Sequence, residues 1–171
     1  AHIIGHDNVP GTLPATVRGM HWDPGPYWDW THYFNLLHAP IAVPVVPRGG
    51  TVVINPDLRT NKPRFTGCAD DGTCPVRGSS AVVLHSAPSD TAPLVKDPGL
   101  HPDGTPSTMD VSDHGARASA GQRFAVADRR GDWTAIWYLG QVAWFRNPRS
   151  APTATPSIGL VVTPKPGRAT V

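Results

Sequence analysis

The chain contains no apolar run that approaches the roughly 20 residues needed to cross a bilayer as a helix. Charged residues make up only 16% of its 171 residues and the net charge is +2, so charge-driven disorder is not expected. No secretory signal is visible, although a mature exported protein would have lost one. Proline and glycine are abundant, at 20 and 17 residues, which predicts short strands and many turns rather than long helices.

Cysteine is scarce, and the two residues present, Cys68 and Cys74, bracket the short loop CADDGTC. A zinc site on this pair alone is not expected, because there is no second Cys-x-x-Cys pair or neighbouring histidine pair. We predict a local disulfide, which favours an oxidising compartment, with two free thiols in a cytosolic loop as the alternative.

Composition divides the chain into four segments. The first is rich in histidine and aromatic residues, and a proline-punctuated connector follows it. The third, called here the β module, reads as short strands separated by turns. It carries a long polar insertion at about residues 96–120, and loops of that length are usually functional or disordered. The last segment is a proline- and threonine-rich linker that resembles the start of a further module. The segment bounds are 1–40, 41–50, 51–148 and 149–171.

The phrase DPGPYWDWTHYFNLL predicts the only clear helix, over residues 24–37. Asp23 is placed to cap it, because prolines are tolerated only at or before the first helical turn. Apolar residues recur at spacings of three and four and predict a core-facing stripe, which consists of Tyr27, Trp30, Phe34 and Leu37. Trp28 falls off the stripe, and is a candidate for lining a substrate groove or an incidental surface aromatic.

Two phrases of the β module predict antiparallel strands. A strand, a turn and a second strand are predicted in SSAVVLHSAPSDTAPLV. Three further strands, with turns at GD and LG, are predicted in AGQRFAVADRRGDWTAIWYLGQVAWFRNP. The expected fold class is therefore an α+β segment followed by a mainly β, strongly bent antiparallel barrel. Arg129–Arg130 predicts a turn rather than a polyanion site, and no nucleic-acid partner is expected.

Side chains with metal-binding chemistry cluster near the start of the chain. His6 follows a short apolar run, and His21 and Asp23 are two residues apart in front of the predicted helix. Alternate residues of an extended chain point the same way, so His21 and Asp23 can face one site. A hydrolytic zinc needs three protein ligands and an open position for water, so these residues alone leave one ligand missing. The motif DVSDH, with Asp110, Asp113 and His114, could also bind a metal, but a solvated loop is the preferred interpretation.

The order GHDNVPG and then HWDPGPYWDW closely resembles the end of the zinc-dependent N-acetylmuramoyl-L-alanine amidase domain, the family that includes peptidoglycan recognition proteins. The resemblance implies that His6 is the second zinc ligand and Asp23 the third. It also implies that His21 occupies the position that stabilises the developing oxyanion.

The resemblance covers only the last part of that domain. The family's first zinc histidine and its catalytic Glu or Tyr have no counterpart in residues 1–40, and His2 stands in the wrong phrase to replace the missing ligand. We therefore expect an upstream segment, or another chain, to complete the site. The alternative is a non-catalytic component of the cell wall in which the amidase remnant is inactive.

The β module resembles bacterial SH3 domains at both ends, in VVLHSAPSDTAPLV and in GQRFAVADRRGDWTAIWYLGQVAWF. This resemblance implies a module that binds cell-wall peptide or glycan and concentrates the catalytic domain on its substrate. Together the two resemblances predict a secreted, wall-associated peptidoglycan hydrolase that uses zinc and cleaves the amide between N-acetylmuramic acid and L-alanine.

Overall fold

The computed structural model describes residues 22–42, 50–159 and 161. In these ranges one helix precedes seven strands, and the mainly β character predicted for the third segment is confirmed. The closure of those strands into an SH3-like barrel stays a prediction. The elements are α1 (Trp30–Leu36), β1 (Thr51–Ile54), β2 (Ala81–Val83), β3 (Arg117–Ser119), β4 (Arg123–Arg130), β5 (Trp133–Tyr138), β6 (Gln141–Arg146) and β7 (Ala154–Pro156).

Helix α1 is shorter than the predicted 24–37, because it begins at Trp30 rather than at residue 24. Gly25 has φ 84°, a left-handed conformation that an α-helix does not allow, so the DPGP phrase forms turns instead. The capping residue is Asp29, whose carboxylate accepts a hydrogen bond from the backbone N–H of His32 at 2.8 Å. None of the helix residues is buried, so Trp30 and Phe34 of the predicted apolar stripe do not enter the core of the β module. Tyr27, which precedes the helix, packs against the buried Phe65.

Strands β4, β5 and β6 form consecutive antiparallel hairpins, as the alternation of apolar residues predicted. Tyr138 pairs with Gln141, and the two residues between them, Leu139 and Gly140, have φ values of 47° and 75°. Positive φ at both central residues is what a two-residue hairpin turn of the primed type requires. The predicted turn at LG is therefore explained by local backbone chemistry.

Strand β1 lies inside the five-stranded sheet, whose order is β6-β5-β4-β1-β7. Val52 of β1 is paired with Phe124 of β4 on one side and with Pro156 of β7 on the other. Strand β7 belongs to the segment assigned to a linker (149–171), so that part of the tail is a component of this sheet.

A second sheet, formed by β2 and β3, is connected to the first through His85. The backbone N–H of His85 donates to the carbonyl of Trp144 at 2.7 Å, and Trp144 returns a bond of 2.8 Å. The core between the sheets is fully buried and apolar, with Ile54, Leu84, Ile136 and Phe145 at 0% exposure. This core fixes β2 against β6, and so sets the positions of the loops that leave them.

Candidate functional site

Of the three predicted zinc-site residues, the structure describes only Asp23. His6 and His21 lie outside the described residues, and the zinc site that they are expected to share with Asp23 stays a prediction. Asp23 is half-buried and follows the buried side chain of Trp22. Among the described residues, no three His, Cys, Asp or Glu side chains form a group that could hold a metal ion.

The turn that carries Asp23 is anchored on the β module. Trp22 and Tyr27 both pack edge-on against Phe65, with ring centroids 6.0 and 6.1 Å apart. The backbone N–H of Ser80, just before β2, donates to the carbonyl of Pro26 at 2.8 Å. These contacts hold the Asp23 turn at a defined position on the β module.

Trp28 is exposed, at 44% of its full surface. Its ring lies 6.3 Å from that of Trp30 and 5.8 Å from that of Tyr33. The structure therefore places Trp28 in an aromatic cluster beside helix α1, and Trp28 does not line the groove described below. Its predicted role in substrate binding stays a prediction.

The predicted disulfide between Cys68 and Cys74 is present. It closes a loop that is exposed to solvent, and the Cys68 sulfur lies 3.9 Å from the hydroxyl of Tyr27. Asp71 holds the loop turn by accepting hydrogen bonds from the backbone N–H and the hydroxyl of Thr73. The disulfide fits a protein of an oxidising compartment.

A groove of about 720 Å³ opens beside β2. Four stretches of the β module and the tail line it, at residues 60–64, 82–94, 107–109 and 146–153. Its surface includes apolar side chains, among them Val83, Leu94 and Met109. The groove has the size and mixed character typical of small-ligand sites.

The charged side chains of the groove are mostly basic, and we call it the cationic groove. Lys62, Arg64 and Arg146 line it, with Asp90 as the acidic residue among its lining side chains. Arg146 donates to the carboxylate of Asp90 at 3.0 Å and lies 3.8 Å from that of Asp132. Lys62 and Arg64 form no ion pair with any described residue.

The polar side chains of His85 and Ser107 also line the cationic groove. His85 Nδ1 is 2.9 Å from the carbonyl of Ala92, which can only accept, so Nδ1 carries a proton and Nε2 is left to interact elsewhere. Ser107 is 5% exposed, and its hydroxyl has no hydrogen-bond partner in the described part of the chain. A buried hydroxyl without a hydrogen-bond partner is unfavourable, and a bound water or ligand group can satisfy it.

Asp113 organises the polar insertion beside the cationic groove. Its Oδ2 atom accepts hydrogen bonds from the backbone N–H of Thr108 at 2.6 Å and from His101 Nε2 at 3.0 Å. Burial is the largest influence on the pKa of Asp113 and raises it, but the hydrogen bonds from Thr108, His101 and Gly115 outweigh it and lower the pKa. The insertion is thus tied together by one ionised carboxylate.

Acid should weaken this insertion. Because hydrogen bonds lower the pKa of Asp113 in the folded state, its ionisation stabilises the fold above the unfolded value of about 3.9, and this contribution disappears as the pH falls through the folded value. Asp113→Asn is expected to lower the free energy of unfolding at pH 6 by about 2 kcal/mol, with a smaller difference at low pH. Urea titrations between pH 2 and 6 measure this.

The control is Asp71→Asn, at an exposed turn whose hydrogen bonds with Thr73 are local. Its effect at pH 6 should be much smaller than that of Asp113→Asn, because solvent screens an exposed carboxylate. Equal effects of the two substitutions would contradict the role given to Asp113.

The buried guanidinium of Arg117, 5% exposed, lies beneath the same insertion. It donates to three backbone carbonyls, those of Gly115, Ala116 and Thr108, at 3.1, 3.2 and 2.6 Å. It also lies 5.1 Å from the ring centroid of Phe65. Burial lowers the pKa of Arg117 to about 10, and the neighbouring charge of Asp113 opposes that change.

The cationic groove was not predicted from the sequence. The lining residues are separated by up to about 90 positions, so no local motif marks them. The contact between Thr108 and Asp113 spans five residues, which is longer than the usual local spacings of side-chain to backbone hydrogen bonds.

No protein-family model matches the chain, and no curated protein or solved structure matches it either. What the described residues define is a mostly β, antiparallel structure with an internal disulfide. Its one helix, α1, has seven residues, and no helix of the described ranges is long and apolar enough to cross a membrane.

Proposed function

We propose that this chain is part of a secreted, zinc-dependent peptidoglycan hydrolase, an N-acetylmuramoyl-L-alanine amidase, whose β module binds the cell wall. The order GHDNVPG, HWDPGPYWDW and aromatic helix supports the amidase part. The structural observation that carries the proposal is the position of Asp23, half-buried in a turn that Pro26 ties to the backbone of Ser80. A ligand in a fixed turn suits a metal site, because coordination requires a defined geometry.

The donor atoms of the proposed site fit zinc in type. Histidine nitrogen and carboxylate oxygen are both ligands of hydrolytic zinc, so His6 and Asp23 would supply two of the three protein ligands. When bound, zinc supplies an activated water and polarises the amide carbonyl. His21 would donate a hydrogen bond to the oxyanion. The chain contains no glutamate, so a glutamate base, like the first histidine ligand, would come from an upstream segment or a second chain.

Substitution of Asp23 tests this assignment in the full-length protein. Asp23→Ala is expected to lower zinc content and to reduce the release of new amino termini from purified peptidoglycan by at least about tenfold. Zinc is measured by elemental analysis, and the amino termini by a colorimetric amine assay. Chelation of the unmodified protein should abolish the same release.

The matched control is Asp70→Ala, an exposed aspartate in the disulfide loop. It should leave both zinc content and amine release unchanged. An Asp23→Ala protein that keeps its zinc and its rate, or a zinc-free protein that is fully active, would reject the amidase proposal.

The second candidate function is wall binding without cleavage, and the cationic groove favours it. The groove is formed by the β module and tail alone, so it does not depend on the amidase segment. The protein would then sediment with purified peptidoglycan while releasing no amino termini. Sedimentation together with release supports the first candidate instead.

A further inference from the structure

We infer that the cationic groove binds a short peptide through a free carboxylate group, with Lys62, Arg64 and Ser107 as the recognising residues. This inference deepens the wall-binding part of the proposed function and rests on it only for the source of the peptide.

The charge of the groove selects an anion. Lys62 and Arg64 are both exposed and line the same groove, and neither is neutralised by a described carboxylate. Arg146 is different, because the carboxylates of Asp90 and Asp132 already neutralise its positive charge. The groove therefore carries two positive charges that no described carboxylate neutralises, on Lys62 and Arg64. An ammonium and a guanidinium are well suited to hydrogen-bond one carboxylate.

The buried hydroxyl of Ser107 gives the groove a directional group. Ser107 lines the groove, is 5% exposed and has a hydroxyl without a partner among the described residues. The hydroxyl lies against the backbone of Gly115, where an added Cβ atom would be 2.4 Å from Ser107 Oγ. A ligand that reaches this hydroxyl gives it the hydrogen bond that the protein leaves unmade.

The apolar surface and the small number of free cations favour a peptide over a polyanion. Val83, Leu94 and Met109 provide contact for aliphatic side chains, and Asp90 can accept from an amino group of the ligand. A phosphate polymer would be expected to need a longer run of unpaired basic residues, because its affinity comes from many phosphate contacts. The volume of about 720 Å³ accommodates a ligand of a few residues.

Calorimetry with a defined peptide tests the inference. The probe is the tetrapeptide Ala-Gln-Lys-Ala, whose only carboxylate is its C-terminus, compared with the same peptide as a C-terminal amide. The free acid is expected to bind the full-length protein at least about tenfold more tightly than the amide, and its affinity should fall as salt is raised. Equal affinities, or failure of both peptides to bind, would overturn the inference.

Charge-matched variants locate the binding site. Lys62→Gln combined with Arg64→Gln should weaken the free acid about tenfold or more. Lys96→Gln combined with Arg129→Gln removes the same charge outside the groove and should leave the affinity unchanged. Equal losses in the two double variants would overturn the inference, because they would reflect net charge alone.

Ser107→Ala separates recognition from folding. The hydroxyl makes no bond within the described part of the protein, so the variant should unfold at an unchanged or slightly higher urea concentration. It should nevertheless bind the free acid several-fold more weakly. An unchanged affinity would show that Ser107 does not take part in binding. If a glycerol-phosphate polymer competes with the tetrapeptide, the groove binds polyanions, and the peptide inference is wrong.

Whole peptidoglycan distinguishes this inference from the proposed function. If the protein sediments with peptidoglycan but the Lys62/Arg64 variant sediments equally well, the groove is not the site and wall binding stands. If the protein binds the tetrapeptide but does not sediment with peptidoglycan, the inference about the groove is supported and the proposed wall-binding function is rejected.

Discussion

Phe145→Ala is expected to lower the free energy of unfolding by about 3–5 kcal/mol. Phe145 is fully buried on β6, in the core shared by Ile54, Leu84 and Ile136. Removing its ring forfeits the burial of a large aromatic surface and leaves a cavity that strands on two sheets cannot readily fill. Because Trp144 of β6 is also bridged to His85, which lines the cationic groove, the loss should extend to the groove.

Equilibrium urea unfolding followed by circular dichroism measures this effect. Val142→Ala, on the same strand but 36% exposed, is the matched control and should cost less than about 1 kcal/mol. A Phe145→Ala protein that is as stable as the control would mean that the two sheets do not share one core.

Arg117→Met is expected to cost about 3 kcal/mol, because it removes the donors of three backbone carbonyls at a buried position. Methionine retains most of the volume of arginine, so the effect reports lost hydrogen bonds rather than a cavity. The charge of Asp113 also loses its cationic neighbour. We expect the insertion above Arg117 to lose order before the sheet unfolds.

Hydrogen exchange of the Thr108 and Gly115 amides, both bonded to Asp113, monitors the insertion directly. Their exchange should accelerate in Arg117→Met, while amides of the β5–β6 ladder stay protected until global unfolding. Arg117→Lys should give an intermediate loss, since one ammonium cannot reach all three carbonyls. A loss below about 1 kcal/mol for Arg117→Met would show that water replaces the guanidinium at little cost.

The elements that local chemistry specifies were predictable from the sequence. The β4–β5–β6 meander follows from alternating apolar residues and from turns at Gly131 and Gly140, which have φ values of 57° and 75°. The Cys68–Cys74 disulfide follows from two cysteines six positions apart. In both cases the interacting residues are close in the chain, so the entropy lost on closing the loop is small.

The helix shows where local reasoning was incomplete. The spacing of Trp30 and Phe34 correctly indicated a helix, but the start depended on the backbone of the preceding phrase. Gly25 adopts a left-handed conformation, and Asp29 caps the helix instead of Asp23. Several residues of the phrase have capping chemistry, and the packing of Trp22 and Tyr27 on Phe65 helps fix the turn between them.

The sequence by itself determined the β-rich class, the hairpins, the disulfide and the phrase on which the proposed zinc ligands His6 and Asp23 rest. Tertiary structure alone decided that β7 pairs with β1, that Arg117 is buried beneath Asp113, and that Lys62, Arg64 and Ser107 line one groove. The physical reason is the distance along the chain. Contacts between remote segments depend on how whole strands pack, and no spacing of neighbouring residues encodes that arrangement.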